Sequence, residues 1–433
     1  MMDAVMLRWM KHLSYVMILL LTGCGILPFT QAPTATFTPQ SPTVASTASP
    51  TAIYFPSAQP TITPSASPTT TPSPFPTVTL LPTMPVSMSP SGPQPAPLSG
   101  GLLQKVRARG RLLCGINGEL PGFSAKTAAS GDYVGFEADF CRVIATAIFG
   151  NPKAVDFVPL TTQDRFAAVV QGMVDVLIRN TTWTATRDTG MDDPQFMKIR
   201  LDFGPTIFHD GQRFMVHRGT KINGTNLEVS TIAHLMGKRI CVIGDTTTEM
   251  NLRDQFKARG IEYTPVIGRE ADEVFANYEN GACDAVTSDS SQLVSRRVTF
   301  DNPGDHIIME EPISREPLGP VFVENDSQWR DVVSWSIFAT IYAEELGVDS
   351  TNAGQLIAAP NPDIRRLLGS EGSIGINLGL SNDFALRIIQ EVGNYEEIYQ
   401  RNLGPSTPYN LDRGPNKAWN KGVGGVLSSP PFR

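Results

Sequence analysis

Three short polar runs carry the residues that could bind a small charged molecule. Residues 179–188 combine several hydroxyl groups with Arg187, and a guanidinium can bind a carboxylate through two parallel hydrogen bonds. Residues 244–249 hold three consecutive threonines at a predicted strand-to-helix turn, where backbone N–H groups and the helix dipole favour an anion. Residues 288–290 contain Asp289, which could accept a hydrogen bond from an ammonium group. Together these runs predict a site for a zwitterionic α-amino acid.

Each of these groups also has a purely structural alternative. Arg187 could be a solvated loop cation, and Asp289 could be the N-cap of a helix over residues 290–297. The threonines at 246–248 could simply cap the helix that follows them, although such a cap also presents backbone N–H groups. Trp183 could pack within a lobe or face a cleft.

Catalytic signatures are scarce in this sequence. The Gly-x-Ser-x-Gly, Ser-x-x-Lys, His-Glu-x-x-His, P-loop and dinucleotide-binding motifs are all missing. The five histidines show no metal-binding spacing. Catalytic triads can assemble from distant segments, so a tethered hydrolase of cell-wall amino acids or peptides, with Glu119 and Asp245 as stray carboxylates, is an alternative. It would require a second catalytic domain or a nucleophile elbow, and the sequence shows neither. The sequence therefore favours a binding protein with no catalytic residues, metal or cofactor.

The elements that position the polar runs alternate between strand and helix patterns. A first unit is predicted with strands at 111–116, 155–160 and 174–178 and helices at 136–149 and 164–171. A second unit is predicted with strands at 239–243, 263–267 and 284–287 and helices at 247–258 and 272–278. Two further helices are predicted at 329–346 and 383–392. Two successive βαβαβ units predict two α/β lobes with mostly parallel sheets, and ligands bind such sheets at the carboxyl ends of the strands.

The first 24 residues have the order of an export signal. Arg8 and Lys11 precede an apolar run at 13–21, which is too short to span a membrane as a helix. The Leu-Thr-Gly-Cys sequence at 21–24 resembles the bacterial lipoprotein box, and this resemblance implies a lipid on Cys24 after cleavage. An ordinary signal with an incidental cysteine is the alternative. The predicted location is therefore extracytoplasmic, with a lipid anchor in the cell membrane.

Residues 25–100 are predicted to be a disordered tether. No charged residue or histidine occurs from 25 to 104, and Pro, Ser and Thr dominate the composition. Such a segment cannot bury enough apolar surface to offset its conformational entropy. The remaining 333 or so residues suit one large or two medium domains. The net charge of −7 offers no basic face, so nucleic acid is not an expected partner.

Four cysteines besides Cys24 lie in this folded part, and none forms a zinc-type pair in sequence. Because an exported protein meets an oxidising compartment, we predict two disulfides. Pairing within each half would join Cys114 to Cys141 and Cys241 to Cys283. Four buried free thiols are the alternative.

The folded part resembles the general L-amino-acid-binding proteins of polar amino-acid ABC importers, which are type II periplasmic binding proteins. The stretches that carry the resemblance are RNTTWTATRD at 179–188, CVIGDTTTEMNL at 241–252, EPLG at 316–319, NPDIRRLLG at 361–369 and VGNYE at 392–396. The resemblance implies two lobes joined by paired crossover strands that close on the ligand like a hinge. It places lobe 1 at 101–208, lobe 2 at 209–310, and a return to lobe 1 with C-terminal helices at 311–433. It also implies an importer permease and an ATPase as partners. The chain itself is expected to be a monomer.

The resemblance assigns the two charged ends of the ligand to five residues. Arg187 would bind the α-carboxylate, assisted by Thr182 and the backbone N–H of Thr247. Asp289 would bind the α-ammonium group, assisted by the carbonyl of Asn180.

Other positions would surround the ligand side chain. Phe123 and Phe166 match positions where family members place apolar or aromatic groups, although Phe166 could equally belong to a core. Asn117 lies where relatives place a group that faces the ligand side chain. Asp245 is a departure, because the family usually has Gly there; its carboxylate could weaken binding of anionic ligands or point to solvent.

The sequence thus predicts the solute-binding component of an ABC importer that captures L-amino acids, with a broad preference for polar ones. A module that senses amino acids without transporting them is the main alternative.

Overall fold

The computed structural model describes residues 101–193 and 197–433. The predicted signal, the Cys24 lipidation site and the tether at 25–100 lie outside the described residues. In the part that is described, no helix combines the length and apolar character needed to cross a bilayer.

The strands of the described ranges are short, with two to six residues each. In chain order they are β1 (Leu112–Ile116), β2 (Glu119–Leu120), β3 (Ser124–Lys126), β4 (Tyr133–Val134), β5 (Val155–Pro159), β6 (Val176–Leu177), β7 (Met191–Asp193), β8 (Met197–Ile199), β9 (Leu201–Phe203), β10 (Phe208–Asp210), β11 (Gln212–His217), β12 (Arg239–Ile243), β13 (Thr264–Gly268), β14 (Ala285–Asp289), β15 (His306–Ile308), β16 (Glu316–Leu318) and β17 (Val321–Val323).

Helices follow most of the central strands and dominate the C-terminal third. They are α1 (Leu102–Arg109), α2 (Phe136–Phe149), α3 (Arg165–Val170), α4 (Ala185–Thr189), α5 (Thr247–Arg259), α6 (Ala271–Glu279), α7 (Ser290–Arg297), α8 (Ser327–Leu346), α9 (Pro362–Leu367), α10 (Ile374–Leu378), α11 (Phe384–Glu391) and α12 (Tyr395–Leu403). Short 3₁₀ turns occur at Ile232–Leu235, Pro303–Asp305, Leu356–Ala358 and Gly414–Asn416.

Helix α2 shows how local sequence sets an element. Its first turn carries Glu137 and Asp139, which interact favourably with the positive end of the helix dipole. It ends at Gly150, whose left-handed backbone (φ 67°) closes the last turn. Its bounds agree with the helix predicted at 136–149 because both ends are marked in the sequence.

Each lobe contains one five-stranded mixed sheet. The lobe 1 sheet has the order β5-β1-β6-β17-β9, and the lobe 2 sheet has the order β13-β12-β14-β11-β15. The first three strands of each sheet are parallel, as predicted. The prediction of mostly parallel sheets is wrong for the other two strands of each sheet, which are joined by antiparallel pairings. These strands belong to the segments that leave and re-enter each lobe, and they carry no βαβ signal.

Two paired strands connect the lobes. Strand β10 runs out of lobe 1, strand β16 returns to it, and the two pair antiparallel with Phe208 opposite Leu318 and Asp210 opposite Glu316. This arrangement confirms the expected two-lobed architecture with paired crossover strands.

The larger core lies in lobe 1, where the C-terminal helices pack on α2. Helix α8 contacts α1, α2, α9, α10, α11 and α12, so residues after 326 enlarge this lobe. This core contains a cluster of contacting aromatic rings, formed by Phe123, Phe136, Phe140, Phe208, Tyr395 and Tyr399.

Each lobe contains one disulfide. Cys114 on β1 is bonded to Cys141 on α2, with a Cα–Cα distance of 6.1 Å. Cys241 on β12 is bonded to Cys283, just before β14, with a Cα–Cα distance of 5.7 Å. These are the two pairs named from the sequence.

Candidate ligand-binding site

A polar cavity of about 50 Å³ lies between the two lobes. Its walls come from the carboxyl ends of parallel strands in both sheets, where ligands of α/β folds bind. Lobe 1 contributes Asn117, Thr162, Arg165, Arg179, Asn180 and Arg187, and lobe 2 contributes Ile243, Thr246, Thr247, Thr248, Ala271, Asp289 and Gln292.

Arg187 presents a buried guanidinium on the lobe 1 side. It lies on α4, whose N-cap Thr184 accepts a hydrogen bond from the backbone N–H of Arg187 (3.3 Å). Its Nη1 donates to the carbonyl of Thr182 (2.7 Å). Burial lowers the pKa of Arg187 to about 10, so the side chain remains charged at neutral pH. Across residues 101–193 and 197–433 it forms no ion pair, which leaves donors for a carboxylate.

Two threonines from opposite lobes meet beside this guanidinium. The hydroxyls of Thr182 and Thr247 are 3.4 Å apart. Thr247 begins α5, and the side chain of Thr246 caps that helix by accepting from Glu249 (3.2 Å). The first N–H groups of a helix have no acceptor within it, so the start of α5 can donate to an anion.

Asp289 supplies the opposite charge from lobe 2. It occupies the N-cap position of α7 but makes no side-chain cap hydrogen bond, and its Oδ1 is buried without a partner among the described residues. Burial, and next the carboxylates of Asp210 and Glu316, raise the pKa of Asp289 well above its usual range, while Arg187 opposes the shift. A buried, unpaired carboxylate is unfavourable, and an ammonium group would relieve it.

The first turn of α7 is capped by a carboxylate other than that of Asp289. Asp210 on the crossover strand accepts from the backbone N–H of Ser291 (3.2 Å). Burial raises the pKa of Asp210 to about 6. Because Asp210 takes the capping role, Asp289 is free to face the cavity.

Asn180 lines the cavity in a left-handed backbone conformation (φ 39°), which Asn adopts more readily than most residues. Its side-chain oxygen and nitrogen are both buried without a partner in the described part of the chain. Its backbone N–H donates to the carboxylate of Glu137, which also accepts from Ser124 Oγ (3.0 Å). Burial raises the pKa of Glu137 to about 7.

Comparison with known proteins places this geometry in a family. The model of the bacterial extracellular solute-binding proteins, family 3, matches residues 112–340. The general L-amino acid-binding periplasmic protein AapJ of Rhizobium johnstonii is 45% identical over 333 residues, which are 76% of this chain and 92% of that protein. This chain is a family 3 extracellular solute-binding protein.

Two further relatives are similar over most of their length. The glutamate/glutamine/aspartate/asparagine-binding protein BztA of Rhodobacter capsulatus is 45% identical over 336 residues, covering 77% of this chain and 94% of that protein. A solved periplasmic binding protein of Brucella ovis with glutathione bound is 43% identical, with a TM-score of 0.71, and covers 77% of this chain and 100% of that chain.

Three residues of this family 3 protein were predicted to surround the ligand side chain, and the structure places some of them at the cavity and one in the core. Asn117 lines the cavity. The ring of Phe166 lies 5.1 Å from the guanidinium of Arg187 and also packs against a small lobe 1 cluster. Phe123 differs from the expectation: it is 1% exposed and packs edge-on against Phe136 and Phe208, inside the core instead of on the cavity wall.

Trp183 and Asp245, for which the sequence left open a role near the ligand, are not among the residues that line the cavity. Trp183 stacks on Phe203 in lobe 1 (5.7 Å between ring centroids). Asp245 is exposed and has a left-handed backbone (φ 57°), a conformation that glycine adopts without steric cost.

Sequence reasoning missed two further arginines of this solute-binding protein. Arg165 and Arg179 line the cavity beside Arg187 and are buried. Burial lowers the pKa of both, and the charges of Arg179 and Arg187 lower that of Arg165 further. The available signal was an arginine at the start of the otherwise apolar helix α3 and another at the start of the 179–188 run.

Proposed function

We propose that this protein captures L-amino acids outside the cytoplasm and delivers them to the permease of an ABC importer. One observation carries the proposal: Arg187 from lobe 1 and Asp289 from lobe 2 line the same cavity, and within the described ranges neither is in an ion pair. A zwitterion provides the carboxylate and the ammonium group that these two side chains need.

The proposed contacts use both lobes at each end of the ligand. The α-carboxylate binds Arg187, the hydroxyl of Thr182 and the N–H of Thr247. The α-ammonium group binds Asp289 and the carbonyl of Asn180. Hydrogen bonds to charged groups contribute about 1.5–3 kcal/mol each, so a few of them support micromolar binding, which corresponds to about −8 kcal/mol.

Polar and acidic side chains fit the rest of the cavity best. Asn117, Arg165 and Arg179 line it, and the guanidinium groups favour ligands with a side-chain carboxylate or amide. The names of the relatives, which refer to general L-amino acids and to glutamate, glutamine, aspartate and asparagine, support a broad polar range. Phe166 would support Arg187 and Arg165 through their guanidinium faces.

Calorimetry on ligand-stripped protein tests this proposal. The panel contains the proteinogenic L-amino acids, glutathione, and two analogues of glutamate: its α-methyl ester and 2-oxoglutarate. We expect several polar amino acids to bind and both analogues to bind much more weakly, because each lacks one charged end. No heat with any L-amino acid would contradict the proposal, and so would equal affinity for glutamate and 2-oxoglutarate.

Delivery to a permease can be tested in cells. Removing the genes for the permease should abolish uptake of labelled amino acid while leaving capture by the binding protein intact. The family and the relatives support transport and give no support to the sensing alternative. Sedimentation of the purified chain tests the expected monomer.

We further propose that a lipid on Cys24 anchors the protein and that residues 25–100 act as a spacer. The Leu-Thr-Gly-Cys sequence and the uncharged Pro/Ser/Thr-rich stretch support this. Mass spectrometry of the N-terminal peptide should show acylated Cys24, and Cys24→Ser should move the protein from the membrane fraction to the soluble fraction. An unmodified cysteine on the mature protein would contradict the anchor.

A further inference from the structure

Glu270 of lobe 2 reaches across the cleft to lobe 1. It precedes helix α6, and its two carboxylate oxygens accept from the backbone N–H (2.8 Å) and the hydroxyl (2.9 Å) of Thr162. Next to it, Gln163 Nε2 donates to the carbonyl of Arg269 (3.1 Å). Two consecutive residues of each lobe therefore pair side by side.

Arg179 completes this cluster from lobe 1. Its Nη2 donates to Thr162 Oγ1 (3.2 Å) and lies 3.7 Å from Glu270 Oε2. Among the charges that act on Arg179, that of Glu270 contributes most to stabilising the cation. The side chain of Arg179 is 9% exposed and that of Glu270 is 37% exposed, so solvent screens their attraction in part, and the two hydrogen bonds from Thr162 are the stronger contacts of Glu270.

The cluster lies at the edge of the ligand cavity. Thr162 and Arg179 line that cavity, and Glu270 contacts both of them. The side chain of Glu270 accepts no hydrogen bond from the first turn of α6, so it is not needed to cap that helix. Rotation of the lobes apart would separate the Glu270 carboxylate from both of its donors on Thr162 and from the guanidinium of Arg179.

We propose that Glu270 is a latch, a positioning residue that stabilises the closed lobes and raises affinity for every ligand without touching it. The inference rests on the proposed function, because it requires a ligand that binds between the lobes. A ligand must gain its affinity in the closed state, and the contacts of Glu270 with Thr162 and Arg179 favour that state. Their loss should act on dissociation more than on association.

The test compares Glu270→Ala and Glu270→Gln in the full chain with Glu262→Ala. Glu262 is exposed on the same lobe and has no side-chain partner in the described residues, so it is a matched control. We expect Glu270→Ala to weaken binding of every amino acid by about tenfold, since a charged hydrogen bond contributes at least the 1.4 kcal/mol that this factor represents. Glu270→Gln should lose less affinity than Glu270→Ala, because the amide oxygen of glutamine can still accept a hydrogen bond from Thr162. Glu262→Ala should bind like the unaltered protein.

Hydrogen exchange of the Thr162 amide provides a readout that needs no ligand. It should be faster in Glu270→Ala than in Glu262→Ala, with unchanged melting temperatures. Failure of the proposed function would appear as no binding by any variant, while this exchange difference persists. Unchanged affinity and exchange in Glu270→Ala would overturn the latch, and so would an affinity loss confined to acidic ligands, because that pattern requires a direct effect on the ligand side chain.

A double-mutant cycle with Thr162→Val separates the latch from the wall of the cavity. If the two residues act as a pair, the combined loss of affinity is smaller than the product of the single losses. Strictly multiplicative losses would also overturn the proposal.

Discussion

The surroundings of Arg187 and Asp289 change the pKa values of both side chains. Burial lowers the pKa of Arg187 to about 10, which leaves it charged at neutral pH. Burial and neighbouring carboxylates raise the pKa of Asp289, which makes its charged form costly in the free protein. A ligand with one carboxylate and one ammonium group therefore relieves both residues at once.

Replacing Arg187 should remove affinity for all amino acids alike. The reason is that its guanidinium is proposed to bind the α-carboxylate, which every amino acid has. We expect Arg187→Ala to lose at least about 100-fold in affinity, or 2.7 kcal/mol, with an unchanged circular dichroism spectrum. Arg200→Ala, at an exposed position, is the control. A loss for only some ligands would show that Arg187 does not bind the common carboxylate.

Affinity should fall as the pH falls, because Asp289 must ionise to pair with an ammonium group. Its pKa is raised in the free protein, and the bound cation should lower it. Binding then releases a proton, so affinity increases with pH through the pKa of Asp289. Calorimetry in buffers of different ionisation enthalpy measures this release, and Asp289→Asn should abolish both the release and tight binding. Proton uptake on binding would contradict the assignment.

At the scale of elements, the beginnings of α5 and α7 carry the residues that we propose bind the two charged ends of the ligand. In α5 the cap is made by Thr246, and Thr247 and Thr248, which follow it, line the cavity. In α7 the N–H of Ser291 binds Asp210 from the crossover strand, so Asp289 at the same helix end is left for the ligand. The two strand-to-helix turns are similar, but we propose that they bind opposite charges of the ligand. The reason is that α7 receives its capping oxygen from Asp210 on the crossover strand, whereas α5 is capped by its own turn residue Thr246.

Replacing Asp245 tests whether its carboxylate, in the turn before α5, affects ligand affinity. Since Asp245 is exposed, we expect Asp245→Gly to change affinity by no more than about twofold, in line with surface substitutions that alter free energies by less than about 0.5 kcal/mol. Titration with glutamate and glutamine measures this. A selective gain for glutamate would show that the carboxylate repels acidic ligands.

The two disulfides should stabilise the lobes. They close loops of 27 and 42 residues in sequence separation, and chain-entropy arguments give about 3–4 kcal/mol for each. We expect reduction to lower the denaturant midpoint markedly, and thiol titration of the unreduced folded part to find no free thiol. Four reactive thiols without reduction would instead favour the free-cysteine alternative.

At the scale of the whole molecule, the crossover pair β10–β16 links the two halves of the site. Glu316 on β16 accepts from Asn251 of α5 (2.7 Å), and its charge acts on both Arg187 and Asp289. The hinge is therefore part of the electrostatic environment of the ligand as well as a connection between lobes.

A saturating amino acid should protect both lobes against hydrogen exchange. At about 100 times the dissociation constant, a ligand that binds only the folded state stabilises it by about 2.7 kcal/mol. We expect slower exchange around α4 in lobe 1 and around the start of α5 in lobe 2, measured by mass spectrometry. Protection confined to lobe 1 would show that Thr247 and Asp289 do not contact the ligand.

The sequence by itself determined the local features. Periodicity and end signals marked α2 and β12 at their observed bounds, and most other predicted elements agree within one or two residues. The polar runs that carry Arg187, Thr247 and Asp289 were identifiable because their chemistry is contained in a few consecutive residues.

Tertiary structure decided what depends on distant segments. The antiparallel strands arise from chain crossing between lobes, which has no local signal. Phe123 was expected on the cavity wall and Arg165 was not singled out, and only packing puts Phe123 among aromatic rings and Arg165 on the cavity wall. Glu270 meets Thr162 across 108 residues of chain. Local sequence determines which conformation a segment prefers, whereas long-range packing determines which of its side chains become neighbours.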